Sequence, residues 1–202
     1  MRPSDRVVCS SLACVDVDSS LLDVPSVDVV PSRVSVVMVS EAAAPRVDDG
    51  FYASDDALFA QTTLEAFRDA GANVASIAGL LRRGIYLTTA VKCAKTAYGI
   101  QTATVNACSE LLERELALFP NLRVILLMGD VAIKALCAIA RRAGEPRPIP
   151  AGSTYKLRGP EYTWRGARVF PSYLQAGPSF FIEKSKRRMI AEDIASALEL
   201  VK

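Results

Sequence analysis

The chain has 202 residues, of which 50% are hydrophobic and 23% are charged, and its net charge is +2. This balance is typical of a globular protein with a buried core, and any nucleic-acid partner would have to meet a local basic patch. Because the sequence has no histidine, it excludes His general acid–base catalysis and Ser-His or Cys-His nucleophiles. It also excludes the usual zinc ligand sets except an all-cysteine one.

The N-terminal residues 1–32 predict an irregular segment. Val and Asp alternate around Pro25 and Pro31, which is typical of an extended chain that follows a surface. No apolar run approaches the roughly 18–20 residues of a membrane-spanning helix, and charges stand where a signal peptide would be apolar. We therefore expect a cytoplasmic protein with no membrane partner.

The rest of the chain alternates apolar runs of strand length with amphipathic segments. Strands are predicted at 33–45, 84–93, 122–129 and 167–174. Helices are predicted at 57–71, 74–83, 102–119, 130–144 and 185–202. The proline- and glycine-rich stretch 145–166 predicts loop with a short hairpin at most. The alternation predicts one α/β domain over residues 1–202, a three-layer α/β/α sandwich around a mostly parallel four-stranded sheet.

A ligand cleft is expected at one edge of this sheet. In open parallel sheets, ligands bind at the carboxyl ends of the strands. The predicted ends are Ser40-Glu41, Thr88-Thr89, Met128-Gly129 and residues 170–172. An active cleft should gather these four segments.

Four of the five cysteines fall into two pairs. Cys9 and Cys14 form a C-x4-C pair, whereas Cys93 follows the second strand and Cys108 opens the next helix. Four thiolates suit an iron–sulfur cluster or an all-cysteine zinc site, but small buried hydrophobic residues would show the same spacing. Cys137 lies in the apolar pattern of its helix and is interpreted as core.

Three blocks of sequence carry a family resemblance. They are "VSVVMVSEAAAP" (34–45), "YLTTAVKC" (86–93) with Cys108 downstream, and "VILLMGDVAIKAL" (124–136) followed by "VFPSYL" (169–174) and the last helix. In this order they resemble the uracil-DNA glycosylase superfamily over roughly residues 7–200. They are most similar to its iron–sulfur-containing family 4 type. The resemblance implies a uracil-DNA glycosylase-like fold, excision of a deaminated or damaged base from DNA, and a 4Fe-4S cluster at Cys9, Cys14, Cys93 and Cys108.

The sequence departs from the family at the residues that recognise the base. Phe170 stands where the family's H-P-S loop has histidine, and Thr89 stands at the asparagine of I-T-N. Ser40 and Ala43 replace the glycine and proline of G-E-A-P-G, in which only Glu41 and the following alanine are kept. Phenylalanine donates no hydrogen bond, and losing one donor to a developing anion typically costs about 10²–10³ in rate.

Breaking an N-glycosidic bond in DNA requires a flipped base, a stacking ring and a carboxylate near the sugar. Glu41 is the candidate carboxylate, with a solvated loop acid as the ordinary alternative. Phe59 is the preferred stacking ring over Phe51 and Tyr52. Thr89 and Phe170 would then face the base.

Basic residues at the start of the last helix are candidates for DNA phosphates: Lys184, Lys186, Arg187 and Arg188. A solvated helix face is the ordinary alternative. The Ser172 hydroxyl is a further phosphate candidate, and Lys92 is a phosphate candidate or a neighbour of the cluster. We expect DNA, single- or double-stranded, as the partner of a monomeric protein.

Two functions therefore remain open from the sequence. One is a DNA glycosylase with Glu41 as its main polar catalytic residue. The other is a catalytically inactive protein that binds nucleic acid or nucleotide on the same fold, which the lost histidine and asparagine favour. A redox protein that uses the cluster for electron transfer is a third class without further support in the sequence.

Overall fold

A six-stranded sheet forms the framework of the protein in the computed structural model, which describes residues 1–10 and 14–202. The strands lie in the order β1-β3-β2-β4-β6-β5. Their bounds are β1 Val17–Leu22, β2 Val36–Ala43, β3 Ile85–Lys95, β4 Val124–Met128, β5 Tyr162–Trp164 and β6 Ala167–Ser172. The four inner strands pair in parallel, and β1 and β5 pair antiparallel at the two edges.

Seven α-helices are found in the described residues. They are α1 Leu58–Asp69, α2 Ile77–Arg82, α3 Thr102–Leu116, α4 Asp130–Arg142, α5 Thr154–Leu157, α6 Ser179–Ile182 and α7 Lys184–Glu199. Short 3-10 turns cover Pro3–Asp5, Pro31–Arg33 and Val47–Asp49. None of these described helices is long and apolar enough to cross a membrane.

The two faces of the sheet belong to two separate cores because successive side chains of a strand point to opposite faces. On β2, Val37 and Val39 join the core beneath α3 and α4, whereas Val36 and Met38 join the core beneath α1, α2 and α7. Helices thus cover both faces, and the predicted α/β/α fold with a mostly parallel sheet is confirmed.

The predicted number of four strands is wrong, because the sheet also has β1 and β5 at its edges. β1 lies within the segment that was predicted to be irregular, and its mostly exposed sequence VDSSLL lacks the apolar run of a buried strand. β5 forms a hairpin with β6. Arg165 and Gly166 between them have φ values of 46° and 82°, as a tight two-residue hairpin turn requires.

β3 continues beyond its predicted end at Cys93. Val17 of β1 pairs with Lys95, and this extra pairing extends the strand. All residues of β3 before Lys95 are buried, and Lys95 is the first that reaches partly into solvent. The carboxyl end of β3 therefore lies at residues 95–97 rather than at Thr88-Thr89.

Candidate active site

A cleft of about 340 Å³ opens at the carboxyl ends of β2, β3 and β6. Its walls are Glu41, Ala42, Ala43, Pro45, Phe59, Lys95, Thr96, Ala97, Leu174 and residues 176–179. The carboxyl ends of three of the four inner strands thus meet here, but of the four predicted end segments only Ser40-Glu41 contributes a lining residue, Glu41. The fourth inner strand, β4, ends behind them, where the Gly129 amide donates to the Ser172 carbonyl oxygen at 2.9 Å and supports the chain that leaves β6.

Glu41 stands in the cleft wall as predicted. Its side chain is 20% exposed, and its Oε1 accepts a hydrogen bond from Lys95 Nζ at 2.9 Å. Lys95 Nζ also donates to the Tyr98 carbonyl oxygen at 3.2 Å. Glu41 is therefore partnered rather than solvated, and its partner is a cation.

Lys95 is a site residue that the sequence analysis missed. It lies 54 positions from Glu41 in the chain, and no motif connects the two. The available signal was weak, because β3 has an earlier charge at Lys92, which is buried, and only burial separates Lys92 from Lys95 at the end of the strand. The charged residue at the carboxyl end of a parallel strand stands at the ligand-binding edge, and here that residue is Lys95.

Phe59 is the aromatic residue that lines the cleft, whereas Phe51 and Tyr52 do not line it. The Phe51 ring packs behind the Phe59 ring, and the two ring centroids are 5.3 Å apart. The Tyr52 hydroxyl accepts from the Leu87 amide at 2.9 Å and donates to the Leu87 carbonyl oxygen at 3.1 Å. Burial raises the pKa of Tyr52. Phe51 and Tyr52 therefore support the cleft from behind.

Thr89 and Phe170 do not line the cleft, so its geometry does not support their predicted contact with the base, which stays a prediction. Strands β3 and β6 continue beyond Thr89 and Phe170, so both residues lie within the sheet. Thr89 is buried opposite Ser40. Phe170 pairs with Leu126 on β4 and stacks under the Arg168 guanidinium at 4.6 Å.

Gln175 supports the cleft from inside the protein, and the sequence analysis missed it as well. Its fully buried amide Nε2 donates to Ser40 Oγ at 2.9 Å and contacts Thr63 Oγ1 at 3.3 Å. These bonds join the segment after β6 to β2 and α1. Ser40, which replaces the family's glycine, thus has a hydrogen-bonding role that glycine could not perform.

Lys92 cannot reach a phosphate, contrary to one of its predicted roles. Its ammonium is fully buried and donates to Thr88 Oγ1 and to the Thr89 carbonyl oxygen, both at 2.6 Å. It also forms a short ion pair with the fully buried Glu115. Tyr86 donates to the other oxygen of Glu115 at 2.6 Å, and burial raises the pKa of Tyr86. Lys92 is a structural residue between β3 and α3.

The predicted DNA contacts are divided between the surface and the interior. Ser172 is fully buried, and its hydroxyl donates to Asp193 Oδ2 at 2.5 Å, so its predicted phosphate contact is wrong. Arg187 is bound by Asp69 and by Glu65, whose Oε1 lies 2.7 Å from Nη2, which attaches α7 to α1. This engagement contradicts a free phosphate-binding role.

The remaining basic residues of the run stay near the surface. Lys184 and Arg188 are exposed, and Arg188 lies 3.5 Å from Glu192. Lys186 is half-buried, pairs with Glu183 and lies 5.6 Å from the Tyr173 ring centroid. These three side chains remain available at the start of α7.

The four paired cysteines line one cavity between the N-terminal segment, β3 and α3. Burial raises the pKa of the Cys93 thiol to about 11 and also raises that of Cys108. Within residues 1–10 and 14–202, no three Cys, Asp or Glu side chains form a group that could hold a single metal ion. Cys137 is partly buried against the core as predicted, with its Sγ 3.6 Å from the Ile149 carbonyl oxygen.

Comparisons with known proteins identify the family to which the chain belongs. The family model described as the uracil DNA glycosylase superfamily matches residues 28–193. A type-5 uracil-DNA glycosylase of Thermus thermophilus is 32% identical over 117 residues, which are 58% of this chain and 51% of that protein. The match thus spans about half the length of that relative, and the family 4 type stays a prediction. The chain belongs to the uracil-DNA glycosylase superfamily.

Proposed function

We propose that this protein is a DNA glycosylase that hydrolyses the N-glycosidic bond of a deaminated or damaged base. The observation that carries the proposal is that Glu41 and Phe59 line one cleft of about 340 Å³ at the carboxyl ends of the strands. Clefts of this size hold small ligands, and a flipped nucleobase is such a ligand. Family membership supports the same reaction class.

The two side chains suit the two halves of the scissile bond. Phe59 offers an aromatic surface on which a flipped base can stack. Glu41 offers a negative charge to the sugar carbon, which becomes positive as the base departs. Because its side chain is only 20% exposed, little water competes for that charge.

We expect this protein to recognise the base through residues other than those of the family pattern. Thr89 and Phe170 stand at the family's base-reading positions, but neither lines the cleft. A site without a paired amide donor and acceptor discriminates weakly between bases of similar shape. We therefore expect activity on hypoxanthine or xanthine as well as on uracil.

DNA is the proposed partner, in contact with the surface around α6 and α7. Lys184 and Arg188 are exposed there and can neutralise phosphates. Phe181 and Ile182 are exposed on α6, which begins at Ser179 in the cleft wall. Exposed apolar side chains next to a base-binding cleft suit contact with unstacked bases.

A 4Fe-4S cluster held by Cys9, Cys14, Cys93 and Cys108 is the proposed cofactor. Its support is that these four thiols line one cavity, as an all-thiolate ligand set requires. An all-cysteine zinc site would use the same four residues, and metal analysis of the purified protein distinguishes the two. When bound, the cluster would cross-link the N-terminal segment to β3 and α3.

One assay separates the glycosylase from an inactive binding protein. Oligonucleotides carrying uracil, hypoxanthine or xanthine, single- and double-stranded, are incubated with the protein and treated with alkali. We expect strand breaks at one or more of these bases, and loss of the breaks with retained DNA binding in Glu41→Gln. Binding in a gel-shift assay without a strand break at any base would favour the catalytically inactive binding protein. The departures from the family pattern at Thr89 and Phe170 favour the same alternative.

A further inference from the structure

Lys95 occupies a fixed position beside the proposed catalytic carboxylate. Its Nζ is 2.9 Å from Glu41 Oε1 and 3.2 Å from the Tyr98 carbonyl oxygen, and its side chain is 36% exposed. The Tyr98 ring centroid lies 5.8 Å from the same ammonium. Two acceptors and one ring therefore hold the positive charge in the cleft before any substrate arrives.

Lys95 also holds the only positive charge among the described residues that line the cleft. The other side-chain donors of the lining are the hydroxyls of Thr96 and Ser179. The positions from which the family pattern would provide donors, Thr89 and Phe170, lie in the sheet. A negative charge that develops inside this cleft therefore meets Lys95 as its one cationic partner within the described lining.

We propose that Lys95 is a catalytic residue that stabilises the negative charge of the departing base. The inference rests on the proposed glycosylase reaction and names the group that replaces the absent donors. Glu41 and Lys95 together form a dipole, with its negative end toward the sugar and its positive end toward the base.

This dipole matches the transition state and not the ground state. In the substrate, the sugar and the base are both neutral at the scissile bond. As the bond breaks, the electron pair moves to the base, the sugar becomes positive and the base becomes negative. An ion pair that is already assembled interacts more strongly with this separated charge than with the neutral substrate, which lowers the barrier.

The reaction is balanced without a covalent intermediate on Lys95. The bond between C1′ and the base nitrogen breaks, and the electrons leave with the base. A water molecule adds its hydroxyl to C1′, and its remaining proton reaches the base through solvent. Lys95 contributes its charge and forms no covalent bond, which fits an ammonium that is already paired with a carboxylate.

The test compares leaving groups of different acidity. Excision of uracil is compared with that of 5-fluorouracil, and excision of hypoxanthine with that of xanthine, in wild type, Lys95→Met and Lys95→Arg. We expect Lys95→Met to lower kcat by about 10²–10³-fold for the less acidic base of each pair and by less for the more acidic one, with KM changed only a few-fold. Lys95→Arg should recover part of the rate because it keeps the charge.

The matched control is Lys156→Met on α5, an exposed lysine that does not line the cleft. It should behave as the wild type with every base. If Lys95→Met does not fold, Lys95→Gln serves instead, because it keeps a donor for Glu41 and Tyr98 without the charge.

Three outcomes would overturn the inference, and they differ in what else they affect. Excision by the wild type with an unchanged rate in the charge-removing variant, or with an equal loss for all bases, would refute the role of Lys95 alone. No excision of any base by the wild type would refute the glycosylase itself, and the role of Lys95 with it.

Discussion

Lys92 and Glu115 form an ion pair that is fully buried between β3 and α3. Tyr86 and Thr88 also bond to the Glu115 carboxylate, so each charge has its full set of partners. A buried pair of this kind adds little net stability, but the removal of one partner leaves an uncompensated charge in the interior. The pair also joins the two elements that carry Cys93 and Cys108.

Removal of one member of this pair should be severely destabilising. We expect Lys92→Met to lower the free energy of unfolding by about 3–5 kcal/mol, because Glu115 would remain buried without its cation. The measurement is urea unfolding at neutral pH. The double variant Lys92→Met/Glu115→Leu should be more stable than the single one, and a double variant as unstable as the sum of both single changes would refute the buried-pair explanation.

The proposed cluster can be tested through Cys93. Protein purified without oxygen should contain iron and sulfide and absorb visible light, and Cys93→Ser should lose this absorbance and unfold at a lower temperature. The control is Cys137→Ser, which lies outside the four-cysteine cavity and should keep the absorbance. Colourless wild-type protein without iron would refute the cluster.

The proposed stacking role of Phe59 predicts an activity loss that its neighbour does not share. Stacking on one base is worth about 1–3 kcal/mol, so Phe59→Leu should lower kcat/KM by about 10–100-fold while keeping most of the buried volume. Phe51→Leu, behind it, is the matched control and should reduce stability more than activity. Equal activity losses in both variants would indicate a packing role for Phe59.

The stability contributed by Glu113 should depend on pH. Burial alone would raise the pKa of this carboxyl, but hydrogen bonds from Arg142 and Arg165 outweigh burial and lower it. A lowered folded-state pKa means that the stabilisation is present above the unfolded-state pKa of about 4.3 and is lost as pH falls through the folded value. Glu113→Gln should therefore cost on the order of 1 kcal/mol at pH 7.

Urea unfolding of wild type and Glu113→Gln from pH 7 to pH 3 checks this prediction. The difference in unfolding free energy should narrow toward the acid end. A difference that stays constant or widens would mean that the carboxylate charge is not what the two arginines stabilise.

The inner strands β2 and β4 were predictable because they are almost entirely buried and so appear as continuous apolar runs. The edge strands were not, because β1 is mostly exposed and β5 has only three residues. The family motifs also gave the wrong strand ends. Strands β3 and β6 continue beyond Thr89 and Phe170, so these two residues do not line the cleft. Lys95 and Gln175 were missed because their partners are distant in sequence, and only the fold brings them together.

The antiparallel pairing of β1 with β3 has a consequence for how the protein folds. Val17 pairs with Lys95, so the N-terminal strand cannot dock until a strand synthesised much later has emerged. Contacts across such a separation form slowly because the intervening chain must first be closed into a loop. The segment that carries Cys9 and Cys14 therefore docks only after β3 has formed, and the four thiols come together only when the sheet is complete.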